Sequence, residues 1–316
     1  LAGLGLLPRL LPDPYAGLLL AVVLYAIGGG LIEVLVSPIV EACPTENKAS
    51  VMSLLHSFYC WGSVGVILLS TLFLGVFGKG SWPVLALAWA ILPLANALWF
   101  TRVPIARLTE EGESLPIRKL FTSRLFWIFA ALMFAAGACE LSMSQWASAF
   151  AESGLGVSKT VGDLAGPCFF AALMGLSRVI YAKFGDRLNL LNAQLLSGVL
   201  CVGGYLLAAL STVPLAALLG CGLCGFSVGI LWPGTFSVAA RHLPAGGTAM
   251  FALLALFGDL GCSGGPTLVG MVSGAAGGSL KTGLLFAVVF PVFLMGAVLV
   301  CKAVLARTGS QGGKTN

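Results

Sequence analysis

The chain has 316 residues, of which 58% are hydrophobic and 9% charged, whereas ordinary soluble domains carry roughly 25% charged residues. Too few Lys, Arg, Asp and Glu side chains are present to cover a water-facing surface, so much of the chain must face lipid. The formal charge of +5 does not argue for nucleic acid, because the basic residues lie between apolar runs and form no dense stripe.

Residues 1–11 are apolar but too short to cross a bilayer, which takes about 20 helical residues. They lack an initiating Met and the charged start and cleavage site of a signal peptide, and they read as the end of a helix that begins upstream. Long apolar runs follow at 15–40, 49–77, 82–100, 125–150, 161–182, 190–210, 214–240, 248–273 and 282–305. Each is continuous, whereas strands of a membrane barrel alternate over about ten residues. An all-α membrane protein is expected, with nine complete transmembrane helices plus the end of another. Pro and Gly residues such as Pro44, Gly80, Pro104, Pro244 and Gly277 mark most of the ends. Pro38, Pro93, Pro233, Pro266 and Pro291 fall inside the runs, where kinks are tolerated if neighbours satisfy the freed carbonyls.

The stretch 28–65 joins two spans through a short polar loop and places Glu33 and His56 inside them. A charged side chain at mid-bilayer costs roughly 2.5 to 3.5 kcal/mol on insertion scales, so such residues usually face a bundle interior or a watery path. A carboxylate that takes and releases a proton needs a low-dielectric site with intermittent access to water, and Glu33 is placed for that. The plainer reading is a neutral Glu hydrogen-bonded to a facing helix. Glu41, about two turns on, approaches the span's end and reads as solvated or paired with Lys48. His56, Ser63 and Ser70 recur at intervals of seven and share a helical face. That stripe suits a cavity lining, and equally a packed helix contact. If Glu33 and His56 approach one another, their titrations are coupled.

The longest polar stretch, 101–124, carries Arg102, Arg107, Arg118, Lys119 and Arg124 with Glu110, Glu111 and Glu113, as a solvated linker would. Three complete spans precede it and six follow. Thirteen Lys and Arg residues fall on the linker's side, counting Arg178, and four, Arg9, Lys79, Lys159 and Lys281, on the other. The linker side is therefore cytoplasmic. Moving Arg178 into the membrane leaves the asymmetry intact.

With six helices after a long cytoplasmic linker, the chain resembles the major facilitator superfamily, whose members have two six-helix halves. The resemblance implies that the chain holds helices three to twelve of a twelve-helix fold. Residues 1–101 would be an incomplete N-terminal bundle, 102–124 the cytoplasmic linker, 125–306 the C-terminal six-helix bundle and 307–316 a cytoplasmic tail. The region 175–189, GLSRVIYAKFGDRLN, is similar to the family's loop signature. There Gly185 can turn tightly, Asp186 can face the positive end of the next helix, and Arg187 can reach lipid phosphate. The plain alternative is a basic loop with a turn glycine.

The run Gly30-Leu-Ile-Glu33-Val-Leu-Val-Ser37-Pro38 is similar to a fourth-helix pattern of the fucose permease branch, whose members are sugar and proton symporters. The resemblance implies that Glu33 belongs to the binding and coupling apparatus. It also implies location in a bacterial cytoplasmic membrane, with linker and C-terminus inside.

In the second half, Glu140, Ser144, Gln145 and Trp146 lie together in GACELSMSQWASAF. That run resembles the seventh helix of sugar-transporting facilitators. Sugar hydroxyls need paired donors and acceptors, while an aromatic face covers their C–H surface. Glu140 and Gln145 are candidate solute ligands; Trp146 is either a third or a member of an aromatic belt. Asp259 precedes Ser263 by one turn and reads equally as a lining residue or a packing polar group.

The spacings Gly225 to Gly229 and Gly261 to Gly265 permit close helix approach. Of nine cysteines, Cys221 and Cys224 form a CxxC inside an apolar helix beside Gly222 and Gly225, where packing explains them better than redox or metal chemistry. Residues 75–81, GVFGKGS, fail the phosphate-loop spacing, and no zinc or nucleophile-elbow motif occurs. No metal or cofactor is expected, and the expected partners are a small polar solute, protons and membrane lipid, without nucleic acid. The expected function is secondary transport, with proton-coupled sugar import ahead of drug or metabolite efflux by proton antiport. A polytopic enzyme using Glu33 and His56 is the remoter alternative, because its polar groups should gather near one membrane face.

Overall fold

The computed structural model describes residues 1–106, 108, 115–154, 156–184 and 187–312. Among them there is no strand, and nine helical stretches are long and apolar enough to cross a membrane. These are Pro14–Ala42, Lys48–Phe77, Lys79–Phe100, Arg124–Ser153, Lys159–Phe184, Leu190–Leu210, Pro214–His242, Pro244–Ala275 and Leu280–Arg307. Most run a few residues past the apolar stretches, because capping groups lie just outside them.

The caps follow the sequence. In α2 (Pro14–Ala42) the Asp13 carboxylate accepts the Tyr15 N–H at 2.9 Å, and Pro14 opens the helix where its missing N–H costs nothing. Ser123, Asn189 and Ser279 do the same for α6 (Arg124–Ser144), α10 (Leu190–Leu210) and α14 (Leu280–Phe286). Gly277 and Gly278, with φ of 69° and 87°, form the turn after α13 (Gly247–Ala275), a conformation that side chains disfavour.

The chain divides into two compact units. The first comprises Leu1–Cys43 and Gly65–Leu108. Here α1 (Ala2–Leu10) packs against α2 and α4 (Trp82–Phe100) through Gly17 and Gly5. A Cβ at Gly17 would lie 2.8 Å from Pro8 N, and one at Gly5 2.6 Å from Pro83 O. In this unit the C-terminal half of α3 (Lys48–Phe77) meets α4 through Trp89, whose indole N–H donates to Ser70 Oγ at 3.2 Å.

The second unit comprises Pro44–Val64 and Thr109–Asn316. It contains the first part of α3, then α5 (Ile117–Thr122), α6, α7 (Ala147–Ala149), α8 (Lys159–Asp163) and α9 (Phe169–Phe184). After α10 follow α11 (Pro214–Val228), α12 (Leu231–His242), α13, α14 and α15 (Val289–Gly312). Its core is the seam of α6 with α13. A Cβ on Gly265 would stand 2.9 Å from Ala138 Cα, and one on Gly261 2.9 Å from Ala138 N. Gly225 and Gly229 seat α11 on α9 at Phe170, Met174 and Ser177. Both glycine pairs thus act as close-packing surfaces. Cys221 and Cys224 are buried inside α11, where the Cys224 thiol donates to Cys201 O.

Candidate functional site

Arg178 is the centre of the polar structure within the second unit. It lies in the span Lys159–Phe184 and is 2% exposed, so it is a residue of the membrane interior and not of the cytoplasmic loop to which its charge first assigned it. The reason is its set of partners. A guanidinium carries five N–H donors and stays charged, so its burial requires acceptors on several sides.

One acceptor comes from a proline. Pro233, in α12, has no N–H to give to the carbonyl four residues earlier, and that freed carbonyl is Gly229 O. Arg178 Nε donates to it at 3.0 Å. Arg178 Nη1 donates to His56 O on α3 at 2.7 Å, and Nη2 lies 3.3 Å from Glu140 Oε2 on α6. Ser53 Oγ, also on α3, donates back to Arg178 O at 2.8 Å. The first part of α3 is thereby tied to α6, α9 and the α11–α12 junction. Gly175 allows the approach, since a Cβ there would come 3.1 Å from Cys60 Cβ and from the Trp61 ring. Tyr59 covers the guanidinium, with Arg178 Cζ 5.8 Å from the ring centroid.

Glu140, expected among the solute ligands, is 6% exposed and faces Arg178. His56 is half-buried with its ring stacked on Phe236 at 5.9 Å and 28° between planes, and its backbone holds Arg178. The serines of its stripe separate: Ser63 Oγ donates to Tyr59 O, and Ser70 accepts from Trp89 within the first unit. Glu33 is exposed on α2 in the first unit, so it and His56 belong to different units. Gln145 is exposed where α6 breaks before α7. Trp146, beside it, donates its indole N–H to Pro266 O at 2.9 Å and lies against Gly270, tying this break to α13. Asp259 is exposed on α13 inside the span Pro244–Ala275. Gly185 and Asp186 lie outside the described residues, while Arg187 is exposed in the turn before α10.

Three residues of this cluster, Arg178, Pro233 and Tyr59, were not among the site residues read from the sequence. Arg178 carried a signal, a basic residue five positions inside the last basic residue of its span and preceded by an apolar run. Pro233, four residues after Gly229, announced a free carbonyl. Tyr59 carried none, because its partner is 119 positions away in sequence.

Nine apolar spans among the described residues, with an ion pair buried between helices, define a polytopic integral membrane protein. Residues 1–266 match the sequence profile of the Major Facilitator Superfamily, and the chain belongs to that family of transporters. A crystal structure of a variant of the E. coli fucose:proton symporter, FucP, is similar with a TM-score of 0.72 at 15% identity, over 91% of this chain and 77% of that one. A second, of a Major Facilitator Superfamily transporter, FucP, in the outward conformation, gives a TM-score of 0.74 at 14% identity, over 95% and 80%. No curated protein sequence matches the chain.

Proposed function

We propose that this transporter imports a sugar or similar small polar solute together with protons, exposing its binding groups alternately to the two membrane faces. Residues 1–101 would belong to one bundle and 125–306 to the other. Residues 102–124 and 307–316 would lie on the inner side of a bacterial cytoplasmic membrane. Glu33 carries the coupling proton, Glu140, Gln145, Trp146 and Asp259 serve the solute, and His56 tunes the path. Gly185, Asp186 and Arg187 carry the loop signature.

The observation that carries the reading is an exposed carboxylate in the middle of α2: Glu33 stands 19 residues after Pro14 and nine before Ala42. Carboxylates at that depth are costly unless they are paired or face a bundle interior or a watery path. The sequence around it resembles the fucose permease branch, and the E. coli protein of like fold is described as a fucose:proton symporter.

The test uses the full-length protein in proteoliposomes with an acidic exterior and a panel of labelled sugars. Accumulation driven by the pH gradient is expected. In Glu33→Gln that accumulation falls to the level without a gradient, while counterflow exchange persists. Unchanged accumulation in the variant removes Glu33 from coupling. Absence of uptake for every sugar, with the protein folded, turns the reading toward efflux or another solute class.

A further inference from the structure

Tyr59 is 57% exposed although it stands well inside the span Lys48–Phe77. At 11 residues past Lys48 it lies about 17 Å along the helix, deeper than the interfacial belts where Tyr usually sits. One ring face is covered by Arg178, itself almost fully buried and paired with Glu140. The exposed neighbour Phe58 has no polar atom and suits hydrocarbon. Tyr59 carries a hydroxyl, to which no hydrogen bond is assigned among the described residues, and it fronts an ion pair. Acyl chains cannot satisfy that hydroxyl, whereas water or a hydroxylated solute can.

We propose that Tyr59 is a solute-facing aromatic platform for neutral polyhydroxylated solutes, with Arg178 as its positioning residue. This rests on the sugar-transport reading above. The open ring face offers stacking to the C–H side of a sugar, and the hydroxyl offers a donor and an acceptor. The Arg178–Glu140 pair is neutral as a whole and puts no unpaired charge behind a neutral solute.

Two measurements on the full-length protein test this. Tyr59→Cys in membrane vesicles should react with a membrane-impermeant thiol reagent above the parent background, and failure to label overturns the proposal whatever the solute. Tyr59→Leu should raise the KM for the transported sugar at least about tenfold, with the maximal rate within about threefold, a loss in the range of an aromatic hot-spot contact. Tyr59→Phe should keep the KM closer to that of the parent. An unchanged KM in Tyr59→Leu overturns the proposal and leaves sugar transport standing. A parent protein that carries no sugar overturns both.

Discussion

A guanidinium closed off from water must be held by everything that surrounds it, and Arg178 is held by two carbonyls, a carboxylate and a ring. Removing one member of such a set leaves the others buried and uncompensated, which costs about 3 to 5 kcal/mol for a buried ion pair. Glu140→Ala and Arg178→Ala should therefore each lower the unfolding temperature in detergent markedly. Arg178→Gln/Glu140→Gln should lie close to the parent, because neutral amides can share a hydrogen bond without a desolvated charge. A double variant as unstable as the single ones would mean that the two carbonyl contacts, and not the ion pair, sustain the cluster. Half of this site was legible in the sequence. Glu140 and His56 were conspicuous as polar residues in apolar runs, but their roles depend on residues 38 and 122 positions distant in the chain. Hydropathy contains no such pairing.

At the scale of helices, glycine decides which faces touch. The GxxxG spacing shows that α13 can approach a neighbour, and the structure identifies α6 as that neighbour and the glycines that meet it. Gly261 and Gly265 face α6, whereas a Cβ on Gly264 would meet nothing within 4 Å. Gly261→Ala drives a methyl into the backbone around Phe134 and Ala138, and overpacking of this kind typically costs about 1 to 3 kcal/mol. Gly264→Ala should be neutral or slightly stabilising, since Ala exceeds Gly in helix propensity by about 1 kcal/mol. Thermal unfolding of the two variants side by side measures the contrast, and equal losses would remove the α6–α13 seam as its cause. The spans themselves were legible because each is an unbroken apolar run. Their starts were less so, because the helices capped by Asp13 and Ser123 begin one residue before the apolar runs at 15 and 125. The short α7 and the breaks around it follow from local hydrogen bonding that no periodicity announces.

For the molecule as a whole, hydropathy was enough for the fold class and for the number of spans, because lipid acts on every helix in the same way. It was not enough to show that residues 44–64 belong to one compact unit and 65–77 to the other, since the apolar run of α3 continues unbroken across that boundary. Orientation is a further whole-chain property, and it rests on charge alone. Positive residues resist translocation, and they are concentrated on the side of the linker. Two positions outside the apolar runs read the result directly. Native Cys43 is exposed in the turn after α2, on the linker's side by the alternation of spans, and Gly80 is exposed on the opposite side, with open space around a Cβ. In right-side-out vesicles an impermeant thiol reagent should label Gly80→Cys at once, and Cys43 only after permeabilisation. The Cys43→Ser background separates the two signals, since all the other cysteines except the half-exposed Cys262 are buried. Labelling of Cys43 in sealed vesicles with protection of Gly80→Cys would reverse the orientation.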